Sequence, residues 1–261
     1  MKIFRYLAVS FSLYSRIPMP RFAWKEEDMA HSLLFFPWVG AVIGAFVFGA
    51  GMLHFRWNLP FWLSGILILT IPVLITGGFH LDGYMDTKDA LSSYADREKK
   101  LEILKDPHVG SFAVIGILTR ALLSGTALCL LMLWGNVRIL IAAGILFFNS
   151  RALSGILALL LPKAKKDGML VRETKEKKTA DIVFLLFQLL LGLAAAAFCD
   201  LKFAVLEVCF AGIFTMYYIR RMKKEFGGVT GDTAGYFVTV LESDTCMLAA
   251  VLMGVLKFLP Q

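Results

Sequence analysis

The sequence predicts an all-α integral membrane protein: a polytopic helical bundle of about seven transmembrane segments, N-terminus cytoplasmic. Three observations predict it. Of 261 residues, 58% are strongly hydrophobic and only 18% charged, well under the quarter or so usual in a soluble domain. Mean hydropathy is +0.70. Apolar runs of about 20 residues, the length that crosses a bilayer, recur along the chain.

In order, the spans expected are 35–54, 59–79, 112–134, 139–161, 181–199, 201–219 and 237–259. The fifth and sixth are separated only by the neighbourhood of Asp200, so they form either a tight helical hairpin or one broken unit. Before them, residues 1–14 are weakly amphipathic and lack a small-x-small cleavage site. They read as an interfacial helix or short re-entrant element ending at Pro18 and Pro20. With the N-terminus inside, segments 1–34, 80–111, 163–180 and 220–236 hold 21 of the 27 Lys and Arg, a strong positive-inside bias. That pattern explains the +7 charge by topology, and no nucleic-acid-binding pattern accompanies it. Cys129, Cys199, Cys209 and Cys246 lie in or beside spans without a CxxC pair, as small apolar fillers do. The chain reads as one membrane-embedded domain, 1–261, with working loops 80–111, 163–180 and 220–236 on the cytoplasmic face.

Charges within spans are costly and face the bundle interior. Arg120, Arg151, Glu242 and Asp244 fall in the cytoplasmic halves of their spans, Glu207 does not. Either Arg120 and Arg151 receive anionic substrate groups in a polar cavity, or they pair internally, as in Arg120–Glu242. Glu207 reads as structural or lipid-boundary. In the loop 94–111, residues 98–105 have helical periodicity and Pro107 ends the helix. Lys105 stands there near Asp106 and His108. The basic loop 162–180 suits an anionic leaflet and could also attract a nucleotide-bearing substrate. The run Gly227-Gly228-Val229-Thr230-Gly231-Asp232 is either a hinge or a backbone cradle for phosphate. It lacks the GKS/GKT of a P-loop.

The most informative stretch is His80-Leu81-Asp82-Gly83-Tyr84-Met85-Asp86-Thr87-Lys88-Asp89. On a helix, Asp82, Asp86 and Asp89 share one face. Three ionised carboxylates repel unless a cation bridges them. Mg²⁺ takes carboxylate oxygens and clamps phosphates, so metal-dependent phosphate chemistry at the bilayer rim is expected, with Asp232 as a fourth ligand. A cation pathway would place the carboxylates deeper. His80 is available as a base or to orient Asp82, orientation being the preferred role.

Taken in order, these segments resemble the cobalamin synthase (adenosylcobinamide-GDP ribazoletransferase) family. Ser15-Arg16-Ile17-Pro18 is similar to the family's TRIP element and Phe36-Pro37-Trp38-Val39-Gly40 to YPLVG. Gly78-Phe79-His80-Leu81-Asp82-Gly83 with Asp86 and Asp89 resembles GGFHLDGxxDTxD. Leu101–Asp106 with Gly110 is similar to LEIMKDxxxG, Ser150-Arg151 to the polar step of the fourth long helix, and Gly227–Asp232 to GGxTGD. Ser15 replaces the usual Thr, and Ala90 stands where Gly is common. Pro162-Lys163-Ala164-Lys165 only loosely matches an ARPEG-like loop.

The resemblance covers essentially the whole chain. It implies a multi-pass protein of the cell inner membrane that joins adenosylcobinamide-GDP to α-ribazole or its 5′-phosphate, with release of GMP and a requirement for Mg²⁺. It implies Asp82, Asp86, Asp89 and Asp232 as metal ligands. Lys105, Arg151 and the loop residues Gly227, Gly228, Thr230 and Gly231 are then expected to bind phosphate. Partners in this reading are the two substrates, the lipid bilayer, a second copy of the chain or other enzymes of the same pathway, and no nucleic acid. The enzyme alternative is a CDP-alcohol-type lipid phosphotransferase, whose Asp-Gly would continue into Ala-Arg, which it does not here. The alternative of another class is a corrinoid or cation transporter.

Overall fold

The computed structural model describes residues 2–176 and 178–258. Lys177 of the basic loop and Leu259, the end of the last expected span, lie outside the described residues. The described chain is all α-helical apart from one isolated bridge. In chain order the helices are α1 (Lys2–Tyr14), α2 (Glu26–Ala30), a 3-10 turn (Ser32–Phe35) running into α3 (Phe36–Trp57), α4 (Phe61–Thr76), α5 (Phe79–Ser92) and α6 (Arg97–Ile103). Then follow α7 (Ser111–Trp134), α8 (Val137–Leu160), α9 (Met169–Glu173), α10 (Thr179–Cys199), α11 (Leu201–Phe226) and α12 (Gly231–Phe258).

Six described helices are long and apolar enough to cross a membrane, and the bent pair α4–α5 makes up to seven. This is a polytopic membrane-type bundle. Where the sequence predicts one span over 59–79, α4 stops at Thr76 and α5 leaves at 95°. The cause is local. Gly77 and Gly78 both sit at positive φ, +70° and +84°, a conformation that ends a helix and that side chains disfavour. The expected fifth and sixth spans are two separate helices, because Asp200 caps α11 by accepting a hydrogen bond from the Phe203 N–H at 2.9 Å. The last span begins earlier than expected, at Gly231, so the glycine-rich loop runs directly into α12.

α8 is the axis of the bundle, its core face set against α3, α10 and α12. Lipid tails offer no hydrophobic drive for helix association, so close packing must supply it. Along α3, Gly40, Gly44 and Gly51 meet Phe147, Gly144 and Leu140 of α8 in reverse order, an antiparallel crossing without room for side chains at Gly40 and Gly44.

The two interior arginines are paired. Arg151 bonds Glu242 at 2.5 Å and Arg120 bonds Asp244 at 2.5 Å. The internal-pairing alternative therefore holds, with partners different from the expected Arg120–Glu242. Buried Glu207 accepts from Asn149 at 2.9 Å and joins α11 to α8.

Helix ends gather in two sets. At one end Lys257 lies over Trp134, and Asn136 and Asp200 line the same hollow. At the other, the Arg16 N–H bonds the Ile75 carbonyl at 2.7 Å, Lys163 bridges to Val229, and Lys100 pairs with Glu225. The second end carries α1, α2, α5, α6 and α9.

Candidate functional site at the polar end

The site is built where α5, the 162–168 loop and the start of α12 meet. α5 leaves the elbow with Asp82 in its first turn. Gly83 lets α12 approach: a side chain there would come within 2.7 Å of the Asp232 carbonyl. Gly228 does the same for the neighbouring loop, which passes so close to Pro162–Ala164 that a Cβ would collide with backbone. Two backbone hydrogen bonds fix that crossing, Val229 N–H to Pro162 O (2.9 Å) and Ala164 N–H to Val229 O (3.0 Å). Gly227, at φ +79°, closes α11.

Thr230 is the cap of α12. Its hydroxyl accepts from the Thr233 N–H at 3.2 Å, and its own N–H donates to the Thr233 hydroxyl at 2.9 Å. Asp232 is thereby held at the positive end of a 28-residue helix. Lys165 reaches it at 3.2 Å. Beyond its own local backbone, no described atom lies within 4 Å of where a Gly231 side chain would begin.

These groups border a cavity of about 290 Å³ lined by Asp82, Gly83, Lys165, Asp167, Thr230, Gly231 and Asp232, with α9 along one side. Asp86, four residues along α5 from Asp82, is half-buried and does not line the cavity. Its carboxyl is pushed up to about 6, first by burial and then by the negative charges of Asp82 and Asp232, against the pull of Lys165. The structure therefore brings Asp82, Asp86 and Asp232 into one electrostatic neighbourhood. Asp89, further along the helix, acts on Asp86 more weakly. Its carboxylate packs against Gly110, the cap position of α7.

The donor chemistry fits a hard divalent ion. Among the described residues no three carboxylate, His or Cys side chains close into a ready cage.

Other expected residues lie elsewhere. Lys105 is exposed at the end of α6 and does not line the cavity. Arg151 is buried deep in α8 against Glu242 and the Phe147 carbonyl. His80 does not orient Asp82. Its ring is stacked on Phe36, at 5.4 Å between centroids, and neither ring nitrogen has a hydrogen-bond partner among the described residues. An α-helix turns about 100° per residue, so neighbours two apart face nearly opposite ways. Lys165 and Asp167 were hidden in a loop whose charge the membrane surface already explained. The likeness of Pro162–Lys165 to a family loop is so loose that it weakens, rather than suggests, a substrate contact there.

Comparison with known proteins decides the lineage. The family model described as cobalamin-5-phosphate synthase matches residues 6–252. The chain belongs to that family. Relatives named adenosylcobinamide-GDP ribazoletransferase include one from Lachnoclostridium phytofermentans, 35% identical over 99% of this chain and 98% of the relative. A Clostridium perfringens relative is 30% identical over 97% and 100%, and one from Pseudomonas syringae pv. syringae 33% identical over 95% and 98%. No solved structure matches the chain. Every motif that suggested the cobalamin-5-phosphate synthase family, from Ser15 to Asp232, lies within the matched residues.

Proposed function

We propose that this chain joins adenosylcobinamide-GDP to α-ribazole or its 5′-phosphate, releasing GMP and forming adenosylcobalamin or its 5′-phosphate. The observation that carries the proposal is the meeting of Asp82, Asp232, Lys165 and the start of α12 around one cavity, with Asp86 in the electrostatic reach of both carboxylates, in a chain of this family. A ribazole hydroxyl attacks the phosphorus attached to cobinamide. The new P–O bond forms as the P–O bond to GMP breaks, and the hydroxyl proton passes to a base or to water.

Asp82, Asp86 and Asp232 would hold Mg²⁺, and Asp89 would reinforce the local negative field. Bound Mg²⁺ neutralises diphosphate oxygens and the charge developing at phosphorus. Lys165, beside Asp232 on the cavity wall, would bind a phosphate oxygen. The space at Gly231 lets a phosphate approach the helix start, where backbone dipoles favour negative charge. α9 and the 162–168 loop wall the site from one side. The positive-inside bias supports a cell inner membrane location with this end in the cytoplasm.

The test uses protein purified in detergent with adenosylcobinamide-GDP, α-ribazole 5′-phosphate or α-ribazole, and Mg²⁺. Mass spectrometry follows both products, with Asp82→Asn in parallel. Joined corrinoid and equimolar GMP are expected, lost with EDTA and reduced at least about 100-fold in the variant, the scale of removing a charge-stabilising group. Folded wild type that makes neither product from either ribazole would overturn the activity. Full activity in Asp82→Asn would overturn the role of that carboxylate.

A further inference from the structure

A second cavity, of about 310 Å³, lies inside the bundle on the other side of α5. Its walls are almost wholly apolar, drawn from α3, α4, α7, α8 and α12. What distinguishes it from a packing void is a set of unsatisfied polar atoms on its lining residues. His80 Nδ1 and Nε2, Arg120 Nε, Arg151 Nε and Ser124 Oγ are all buried without a hydrogen-bond partner among the described residues. Leaving such atoms unpaired is costly, because each has given up its hydrogen bonds to water. His80 is 6% exposed, Ser124 5% and Arg151 1%.

The charges in this cavity cancel, Arg151 against Glu242 and Arg120 against Asp244. A phosphate is thus poorly matched. A lipid tail fits the walls but offers nothing to the imidazole, guanidinium and hydroxyl groups. A flat, uncharged heteroaromatic ring suits both features: apolar faces for the walls, and a free ring nitrogen to accept a hydrogen bond from one of the donors. The volume lies within the range of small-ligand sites.

Position ties the cavity to the site. Thr76, His80 and Leu81 line it, while Phe79, Asp82 and Gly83 line the carboxylate cavity. One elbow and one helical turn thus serve both. At Gly78, within that elbow, no described atom beyond the adjoining chain comes within 4 Å of a side-chain position. Resting on the transferase reading above, we infer that this cavity receives the heteroaromatic base of the ribazole-type nucleoside, with the ribose at the elbow and its reacting hydroxyl toward Asp82.

Two cavity-filling variants on different helices, Ala121→Phe and Ala143→Leu, test this. Full-length protein in detergent is given adenosylcobinamide-GDP and either an α-riboside of benzimidazole or one of imidazole. In wild type the larger base should have the lower KM. Each variant should raise KM for the benzimidazole riboside about 10-fold or more, the scale of a misfit in an apolar pocket. KM for adenosylcobinamide-GDP should stay within about twofold, and the preference for the larger base should narrow or reverse. A general loss of folding would not change base preference. If one variant cannot be purified, the other carries the test. If neither can, equilibrium dialysis of both ribosides against wild type, with and without Arg120→Lys, replaces it: an unchanged preference overturns the inference. Unchanged base preference in a folded variant also overturns it, and loss of co-purifying phospholipid in that variant would assign the cavity to lipid instead. Wild type with no product at all defeats the transferase reading, whereas riboside binding in dialysis still reports on the cavity.

Discussion

At the scale of single residues, Lys165 is the group whose role the structure changes most. It was one of several basic residues in a loop that a charged membrane surface could account for. Folding sets its ammonium 3.2 Å from Asp232 and half-sheltered beside Asp82. A charge-assisted hydrogen bond to substrate phosphate contributes about 1.5–3 kcal/mol, so Lys165→Met should lower kcat/KM by about 10- to 100-fold. The loss should appear with the nucleotide-bearing substrate varied, and Lys166→Met, exposed one residue away, should be near wild type. Equal effects of the two would assign Lys165 to nonspecific surface charge. The aspartate face was legible because four- and three-residue spacing fixes a helix face wherever the helix lies. The partners of Arg120 and Arg151 were not, because spacing along α7 and α8 says nothing about which residues of α12 face them. His80 shows the same limit, since its neighbours Phe36 and Tyr14 come from α3 and α1.

At the scale of elements, two contacts hold the frame of the site. One is the α3–α8 crossing, where a Gly44 side chain would meet Gly144 backbone. Gly44→Val should force the helices apart, costing about 1–3 kcal/mol as overpacking does and lowering the Tm in detergent. Gly49→Val on the same helix, with open space beside it, should not. The other contact joins α9 to the N-terminal elements: Glu173 accepts hydrogen bonds from the Tyr14 hydroxyl and from Ser32 at 2.9 Å. Burial pushes the Glu173 carboxyl from 4.5 up to about 7, against the opposing effect of those hydrogen bonds. The folded state therefore binds a proton that the unfolded chain releases between these values. The contribution to stability is full below about 4.5 and is lost as pH rises through about 7, a span equivalent to about 3 kcal/mol. Glu173→Gln, permanently neutral, should flatten that part of the Tm–pH curve and match or exceed wild type at pH about 8. A variant with the wild-type slope would show that another group controls it. The existence of these helices was legible in hydropathy. The elbow at Gly77–Gly78 was not, because α5 continues the chain without a charged break until Asp82, and hydropathy alone does not register two left-handed glycines.

At the scale of the molecule, the sorting of helix ends turns composition into topology. The antiparallel α3–α8 register, the Lys257–Trp134 contact and the Lys163–Val229 bridge divide the described chain into two ends without reference to any membrane. The basic segments counted in the sequence collect at the end that holds the carboxylates. α4 has 16 residues, about 24 Å at 1.5 Å per residue, short of the roughly 30 Å hydrocarbon core. The elbow lies at the carboxylate end of the bundle, where α5 turns 95° off the line of α4. Sidedness follows from this arrangement as a prediction. In a background with the four native cysteines replaced, Lys166→Cys should react with a membrane-impermeant maleimide only after cells are opened, because it lies at the carboxylate end. Lys202→Cys, exposed at the opposite end, should react in intact cells. The reverse pattern would place the carboxylates outside, away from a cytoplasmic supply of nucleotide-activated substrate. Labelling of both in intact cells would mean that α10, the long helix between the two positions, does not cross, because a crossing helix puts the loops at its two ends on opposite sides of the bilayer.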